Sequence, residues 1–273
     1  MSTLKLQNQQ RYEKRFAQLK QENRHAMIPF ILLGWPNPEV CLSMIDAFIA
    51  GGASALELGI SFSDPVADGP LIQQAARETM DAGFDVDQAI VLIRKIREKH
   101  PETPISLLVY YNLVLARGVE KFCSDIAAAG VDALLIADLP VECIAEIKPA
   151  IDACGLQLTS LISTLTDQSR LPSIVEHSGG FLYAVSRLGV TGVEERYDSG
   201  LGELLSRVRA YSDLPVCVGF GISQRTHVEA MVKLGADGVI VGSSVMSKIK
   251  ALAPAYATAS IVSYIRDLSA PVV

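Results

Sequence analysis

Eight short apolar runs recur along almost the whole chain, at 27–33, 54–60, 105–111, 133–138, 157–163, 181–187, 216–222 and 238–243, with helix-patterned segments between them. Each run is short and rich in Val, Ile, Leu or Ala, as a buried strand requires. The intervening segments carry apolar residues three and four apart. Val40, Met44, Ala47 and Phe48 precede Gly51 and Gly52, Ala89, Leu92, Ile93 and Ile96 precede His100 and Pro101, and Leu201, Leu204, Leu205 and Val208 precede Pro215. A weak echo at 50–53, 129–132 and 234–237 ends a helical pattern with Gly and leads into a strand, and Gly there supplies a left-handed helix cap. Strand and helix alternating eight times predict parallel βα units, arranged as a single (β/α)8 TIM barrel spanning 1–273; an open doubly wound sheet is the competing arrangement.

A chain of 273 residues suits one such barrel, and its composition agrees. Hydrophobic residues make up 49% but aromatic residues only 6%, so the core is expected to be built from aliphatic side chains, as buried parallel strands are. Tyr12, Phe16 and Leu19 fall at helical spacing in a charged segment and predict an extra N-terminal helix that covers the barrel's bottom. Residues 270–273 are expected to form a frayed tail.

The net charge of −6 argues against a nucleic-acid surface, which needs clustered Lys and Arg to displace counterions from phosphate. Five cysteines, an odd number and widely spaced, read as reduced core residues of a cytoplasmic protein. The first twenty residues are polar and charged without an apolar core, and no run approaches the ~18 apolar residues of a membrane helix. Neither secretion nor membrane insertion is expected.

Candidate chemistry begins with Glu57, embedded in Ala55-Leu56-Glu57-Leu58-Gly59-Ile60. Strand alternation places Leu56, Leu58 and Ile60 on one face, suited to packing against helices, and turns Glu57 into the barrel with Ala55 and Gly59 leaving space beside it. An ionised carboxylate there is costly to desolvate, so it requires a cavity, a cationic partner or a raised pKa. An interior ion pair is the bland alternative, yet the runs hold no interior Lys and only Arg187 closes one. Asp68 follows in the turn-rich stretch Ala67-Asp68-Gly69-Pro70, on the face where barrel active sites form; the same residues also suit an ordinary turn and helix start. The glycines of Gly219-Phe220-Gly221 and the small pair Gly242-Ser243 end the last two strands, where barrels commonly hold phosphate. Segment 186–196 suits either an exposed loop or a lid. The four histidines, His25, His100, His177 and His227, are far apart and look like surface or helix-end residues, so no metal site is expected. No nucleophile elbow is present, which leaves acid-base chemistry.

Leu56-Glu57-Leu58-Gly59-Ile60, Phe62-Ser63-Asp64-Pro65 and Ala67-Asp68-Gly69-Pro70, followed by Asn112-Leu113-Val114, Asp138-Leu139-Pro140-Val141-Glu142, Gly189-Val190-Thr191-Gly192 and Gly219-Phe220-Gly221-Ile222-Ser223, closely resemble the tryptophan synthase alpha subunit family. The resemblance implies a (β/α)8 barrel that cleaves indole-3-glycerol phosphate to indole and glyceraldehyde 3-phosphate. It implies Glu57 as the acid-base group and Asp68 as the carboxylate that accepts the indole N–H. Gly192, Gly221, Gly242 and Ser243 are then expected to hold phosphate, Tyr110, Tyr183 and Phe220 to line the pocket, and Thr191 to close over Asp68. It further implies an α2β2 assembly in which indole passes to a beta subunit carrying pyridoxal phosphate, with no cofactor in this chain. A free-standing lyase of the same fold and a mainly regulatory subunit are the alternatives. Trp35, Ser61 and Leu188 depart from the family pattern; Trp35 and Ser61 are expected on loops near the beta-subunit contact.

Overall fold

The apolar runs fold as parallel strands, and the segments between them fold as helices packed on the strands' outer faces. The computed structural model describes residues 3–185, 200–219, 221–251 and 254–272. Helix α1 (Thr3–Gln21) leads into β1 (Ala26–Leu32), α2 (Pro38–Ala50), β2 (Leu56–Gly59), α3 (Pro70–Asp81), α4 (Val86–Lys99) and β3 (Ile105–Val109). There follow α5 (Tyr111–Arg117), α6 (Val119–Ala129), β4 (Ala133–Ile136), α7 (Ile144–Cys154), β5 (Gln157–Leu158), β6 (Ser160–Ser163), α8 (Leu171–His177) and β7 (Leu182–Val185). The described chain ends with α9 (Leu201–Arg209), β8 (Val216–Gly219), α10 (Arg225–Lys233), β9 (Gly238–Val241), α11 (Ser243–Ala251) and α12 (Pro254–Ser269).

The described strands lie in the order β5-β4-β3-β2-β1-β9-β8-β7-β6, and the pairings between them are parallel. One predicted strand, 157–163, is interrupted at Thr159. Its first half pairs with β4 and its second half with β7, so a single residue joins the two ends of the sheet and closes the (β/α)8 ring. The open doubly wound sheet is thereby excluded.

Two apolar cores follow from the strands' period of two. Leu56, Leu58, Leu107, Leu134, Val218 and Val239 face outward into the packing between strands and helices. Ile28, Ala55, Ala133, Leu135, Phe181, Cys217 and Ile240 face inward. As expected, α1 closes the bottom: Tyr12 and Leu19 are buried in the inner core, with Tyr12 and Phe16 packed against Phe181.

The three sequence echoes share a job at that bottom end. Ser54, Asp132 and Asp237 each stand just before a strand and accept the backbone N–H at the start of a preceding one, from Met27 at 3.2 Å, Ile105 at 2.8 Å and Val216 at 2.7 Å. Asp132 is completely buried and also receives Arg11 Nη1 of α1 at 2.6 Å and Arg97 Nη2 of α4 at 2.7 Å. The left-handed cap falls on Gly52, Gly130 and Gly235, so Gly51 is in ordinary helical geometry. At Gly130 (φ +98°) a Cβ would also meet Arg97 Cγ at 2.6 Å.

Two expectations are corrected. The tail is not frayed through Pro271, because Arg225 donates from Nη1 to the Ala270 carbonyl and from Nη2 to that of Pro271. His25 is not a surface residue; it is 4% exposed, with Nε2 2.9 Å from the Leu268 carbonyl oxygen, and burial pulls its pKa down. Among the described residues no helix is long and apolar enough to cross a membrane, and no group of three His, Cys, Asp or Glu could hold a metal ion.

Breaking the Asp132 cluster should leave two guanidinium groups without their shared anion. Asp132→Ala is expected to lower unfolding free energy by about 3–5 kcal/mol in urea titration, whereas Lys121→Ala, which removes only the exposed ammonium from Asp125, should change it by less than ~1 kcal/mol.

Candidate active site

Glu57 is 1% exposed and points into the barrel, where its register partners are Phe30 of β1 and Ser106 of β3. Among the described residues its Oε1 is buried with no hydrogen-bond partner, so the interior ion-pair alternative fails. Burial, with the Asp68 charge adding to it, raises the Glu57 pKa to about 8. The carboxyl is therefore mainly neutral at pH 7. The space expected beside it at Gly59 is taken by Phe30 and Leu32, whose side chains lie 2.8 Å from where a Cβ would stand.

Asp68 sits at the mouth of the same barrel, in the loop between β2 and α3. The Asp68 N–H donates to the Pro65 carbonyl at 3.0 Å, Gln73 Nε2 donates to the Asp68 carbonyl at 2.8 Å, and Pro70 occupies the first turn of α3 with Gly69 as its N-cap. Desolvation raises its pKa to about 6, against the lowering effect of a hydrogen bond with Tyr110. Asp68 is thus mainly ionised at pH 7. Two carboxyls in one cavity are pushed to opposite protonation states by their surroundings, an arrangement that separates a proton donor from a fixed negative charge.

Tyr110 does not line the cavity, contrary to expectation. It is 2% exposed behind the Asp68 loop, its hydroxyl accepts the Ala67 N–H at 3.1 Å, and its ring stacks on Phe62 at 5.3 Å. Its function is to hold the loop. Tyr183 does line the cavity, and the Glu57 charge adds to burial in raising its pKa. Its position depends on Gly219 across the β7–β8 pairing, where a Cβ would stand 2.1 Å from the Tyr183 hydroxyl.

Glu57, Asp68 and Tyr183 meet Gly221, Gly242 and Ser243 in one cavity of about 990 Å³. Phe30, Leu108, Leu135 and Leu161 give it an apolar wall suited to a flat aromatic ring. At the other end lie Gly221, Ser223, Gly242 and the first turn of α11, whose backbone N–H groups suit an anion. Thr191, Gly192 and Phe220, with the segment 186–196 and Leu188, lie outside the described residues. A second cavity of about 440 Å³, lined by Asp138, Thr159 and Arg170 among others, includes neither catalytic candidate.

Sequence reasoning missed Phe30, His227 and Lys248, all of which line the main cavity. The inward position of Phe30 was available from alternation on β1, since it shares a face with Ile28; His227 and Lys248 come from helices, where no equivalent signal exists. Trp35 lies on the loop after β1, as expected; it is 2% exposed and donates from Nε1 to Glu78 Oε2 at 2.9 Å, so its side chain is turned into the core. Ser61 is half-buried with its hydroxyl unpartnered among the described residues.

With this geometry, residues 16–268 match the family model for the tryptophan synthase alpha chain. The chain is 41% identical to the tryptophan synthase alpha chain of Chloroflexus aggregans over 258 residues, covering 94% of this chain and 96% of that one. It is 42% identical to that of Aeromonas hydrophila over 240 residues, covering 88% and 90%. Among solved structures, tryptophan synthase of Mycobacterium tuberculosis superposes with a TM-score of 0.87 at 30% identity, covering 96% of this chain and 97% of that one. A chain of the tryptophan synthase α2β2 complex of Pyrococcus furiosus superposes with a TM-score of 0.82 at 34% identity, covering 90% and 98%.

The raised Glu57 pKa fixes the sign of a stability effect. The folded chain binds this proton more tightly than the unfolded chain, so the contribution is full below the ordinary carboxylate range and is lost as pH rises to about 8. Glu57→Gln carries no charge to bury. It should match wild type near pH 4 and exceed it by a few kcal/mol near pH 9 in denaturant titrations at each pH.

Proposed function

The chain belongs to the tryptophan synthase alpha chain family, and from that premise we propose that Glu57 and Asp68 divide the chemistry of its reaction between them. The reaction is cleavage of indole-3-glycerol phosphate to indole and glyceraldehyde 3-phosphate, a lyase step of tryptophan synthesis, and the partner that receives the indole is a tryptophan synthase beta subunit. Pyridoxal phosphate we place in that partner and not in this chain. We also read 1–273 as one (β/α)8 domain and its location as cytoplasmic.

One observation carries the assignment: a neutral Glu57 and an ionised Asp68 share a cavity with an apolar wall at one end and an amide-rich anion site at the other. The indole lies against Phe30, Leu108 and Leu135, with its N–H directed to Asp68. Glu57 delivers a proton to the ring carbon that bears the glycerol chain. Positive charge then develops on the ring nitrogen, where the Asp68 carboxylate stabilises it more than it stabilises the neutral substrate. Glu57, now a base, removes the proton of the adjacent glycerol hydroxyl. The C–O bond becomes a carbonyl, the carbon–carbon bond breaks, and its electron pair returns to the ring. One proton is given and one taken back, so Glu57 ends the cycle as it began.

Gly221, Gly242 and Ser243 hold the phosphate in this reading, together with Gly192; Phe220 and Tyr183 border the substrate, and Thr191 closes over Asp68. Tyr110 acts at one remove, by fixing the loop that carries Asp68. A regulatory subunit without chemistry of its own has no use for the buried, unpartnered Glu57, which favours the catalytic reading. A free-standing lyase is distinguished by how far activity without the beta subunit approaches that of the complex.

In the complex with beta, Glu57→Gln should reduce indole release from indole-3-glycerol phosphate by roughly 10²–10⁴-fold, and Asp68→Asn by roughly 10²–10³-fold through loss of the fixed charge. For the wild type, kcat should fall below about pH 6 as Asp68 protonates and above about pH 8 as Glu57 loses its proton. Near-normal release by Glu57→Gln would overturn the assignment.

A further inference from the structure

The proposed substrate brings a phosphate dianion into a cavity that already holds two carboxyl groups, on a chain of net charge −6. Backbone amides give partial charge but no full positive charge. Among the described residues that line the cavity, Lys248 is the one Lys or Arg. It stands on α11 one and a half turns beyond Ser243, on the exposed rim of the amide-rich end.

Its position is held. The ammonium lies 4.5 Å above the centroid of the Tyr264 ring, a contact that restrains an otherwise freely rotating side chain. Tyr264 is itself fastened to the anion site, since its hydroxyl donates to the Ser223 carbonyl at 2.9 Å and lies 3.0 Å from Ser244 Oγ. Ser244 Oγ in turn donates to the Ile222 carbonyl at 3.0 Å. One side chain from α12 therefore ties the loop after β8 to the start of α11 and seats a cation over the same place. The arrangement couples the location of the charge to the location of the amides.

We propose that Lys248, seated on Tyr264, is a specificity-determining residue that draws the substrate's phosphate dianion to the α11 end of the cavity and so discriminates phosphorylated from unphosphorylated ligands. The proposal rests on the reaction assigned above. It differs in kind from the roles of Glu57 and Asp68: Lys248 is far from the breaking bond and binds ground state and transition state alike, so its loss should appear in KM and not in kcat.

The test uses the complex with beta and compares wild type with Lys248→Met, Lys248→Arg and Lys250→Met. Lys250 shares the helix but bonds to Gln74 and does not line the cavity, so it controls for a simple change of net charge. At low salt Lys248→Met should raise KM for indole-3-glycerol phosphate roughly 3- to 5-fold with kcat within about twofold. Lys248→Arg should restore most of the loss, Lys250→Met should behave as wild type, and the difference should shrink at about 0.5 M salt as screening removes it. Calorimetric affinity for glycerol 3-phosphate should fall by a similar factor in Lys248→Met, while affinity for indole stays unchanged. A KM and a glycerol 3-phosphate affinity within twofold of wild type, or an equal shift in Lys250→Met, would overturn the role of Lys248. Should wild type release no indole, the reaction assignment fails, and the glycerol 3-phosphate titrations still decide Lys248 on their own.

Discussion

Desolvation of one carboxyl group governs this molecule. A glutamate that remains neutral near pH 7 needs a largely apolar surround and no cationic partner, and the barrel supplies these through different elements. The inward residues of the strands are mostly apolar, among them Ile28, Ala55, Ala133, Leu135, Phe181 and Ile240. Helix α1 seals the bottom with Tyr12 and Leu19, and the charges that fasten it there, Arg11 and Arg97 on Asp132, are turned toward each other. At the top Asp68 supplies a second negative charge, which disfavours ionisation of Glu57 further. Were any of these to admit a cation or bulk water, the proton would leave Glu57 and the division of labour would end.

The two ends of the barrel have correspondingly different physics. At the bottom, Ser54, Asp132 and Asp237 each receive the N–H of a neighbouring strand, and the two ion pairs on Asp132 are short and sheltered. At the top, a Glu57 oxygen is left without a partner among the described residues. The charged and capping contacts that hold the strands together thus gather at the bottom, and the carboxyls proposed for chemistry at the top.

Much of this was legible in the chain because it depends on local periodicity. Alternation around Glu57 gave its inward orientation, and the spacing of Tyr12, Phe16 and Leu19 gave the sealing helix. The break at Thr159 was not legible, since Gln157 to Ser163 reads as one uninterrupted strand and only the switch of pairing from β4 to β7 divides it. Tyr110 was expected at the pocket from the family resemblance alone, and its work on the Asp68 loop depends on a contact 43 positions away in sequence. The burial of Trp35 and His25 was not legible either, because it goes with the distant partners Glu78 and Leu268.

The closeness of Gly219 and Tyr183 ties two strands together in heredity as well as in space. A Cβ at 219 would overlap not only the tyrosine hydroxyl but two of its ring carbons, each 2.5 Å away. Removing the hydroxyl alone would therefore make no room, and any larger residue at 219 requires a side chain smaller than an aromatic ring at 183. Neither position can drift freely while the other stays fixed. Descendants of this chain should keep the glycine and the tyrosine together or exchange both, so the pair would be inherited as one character.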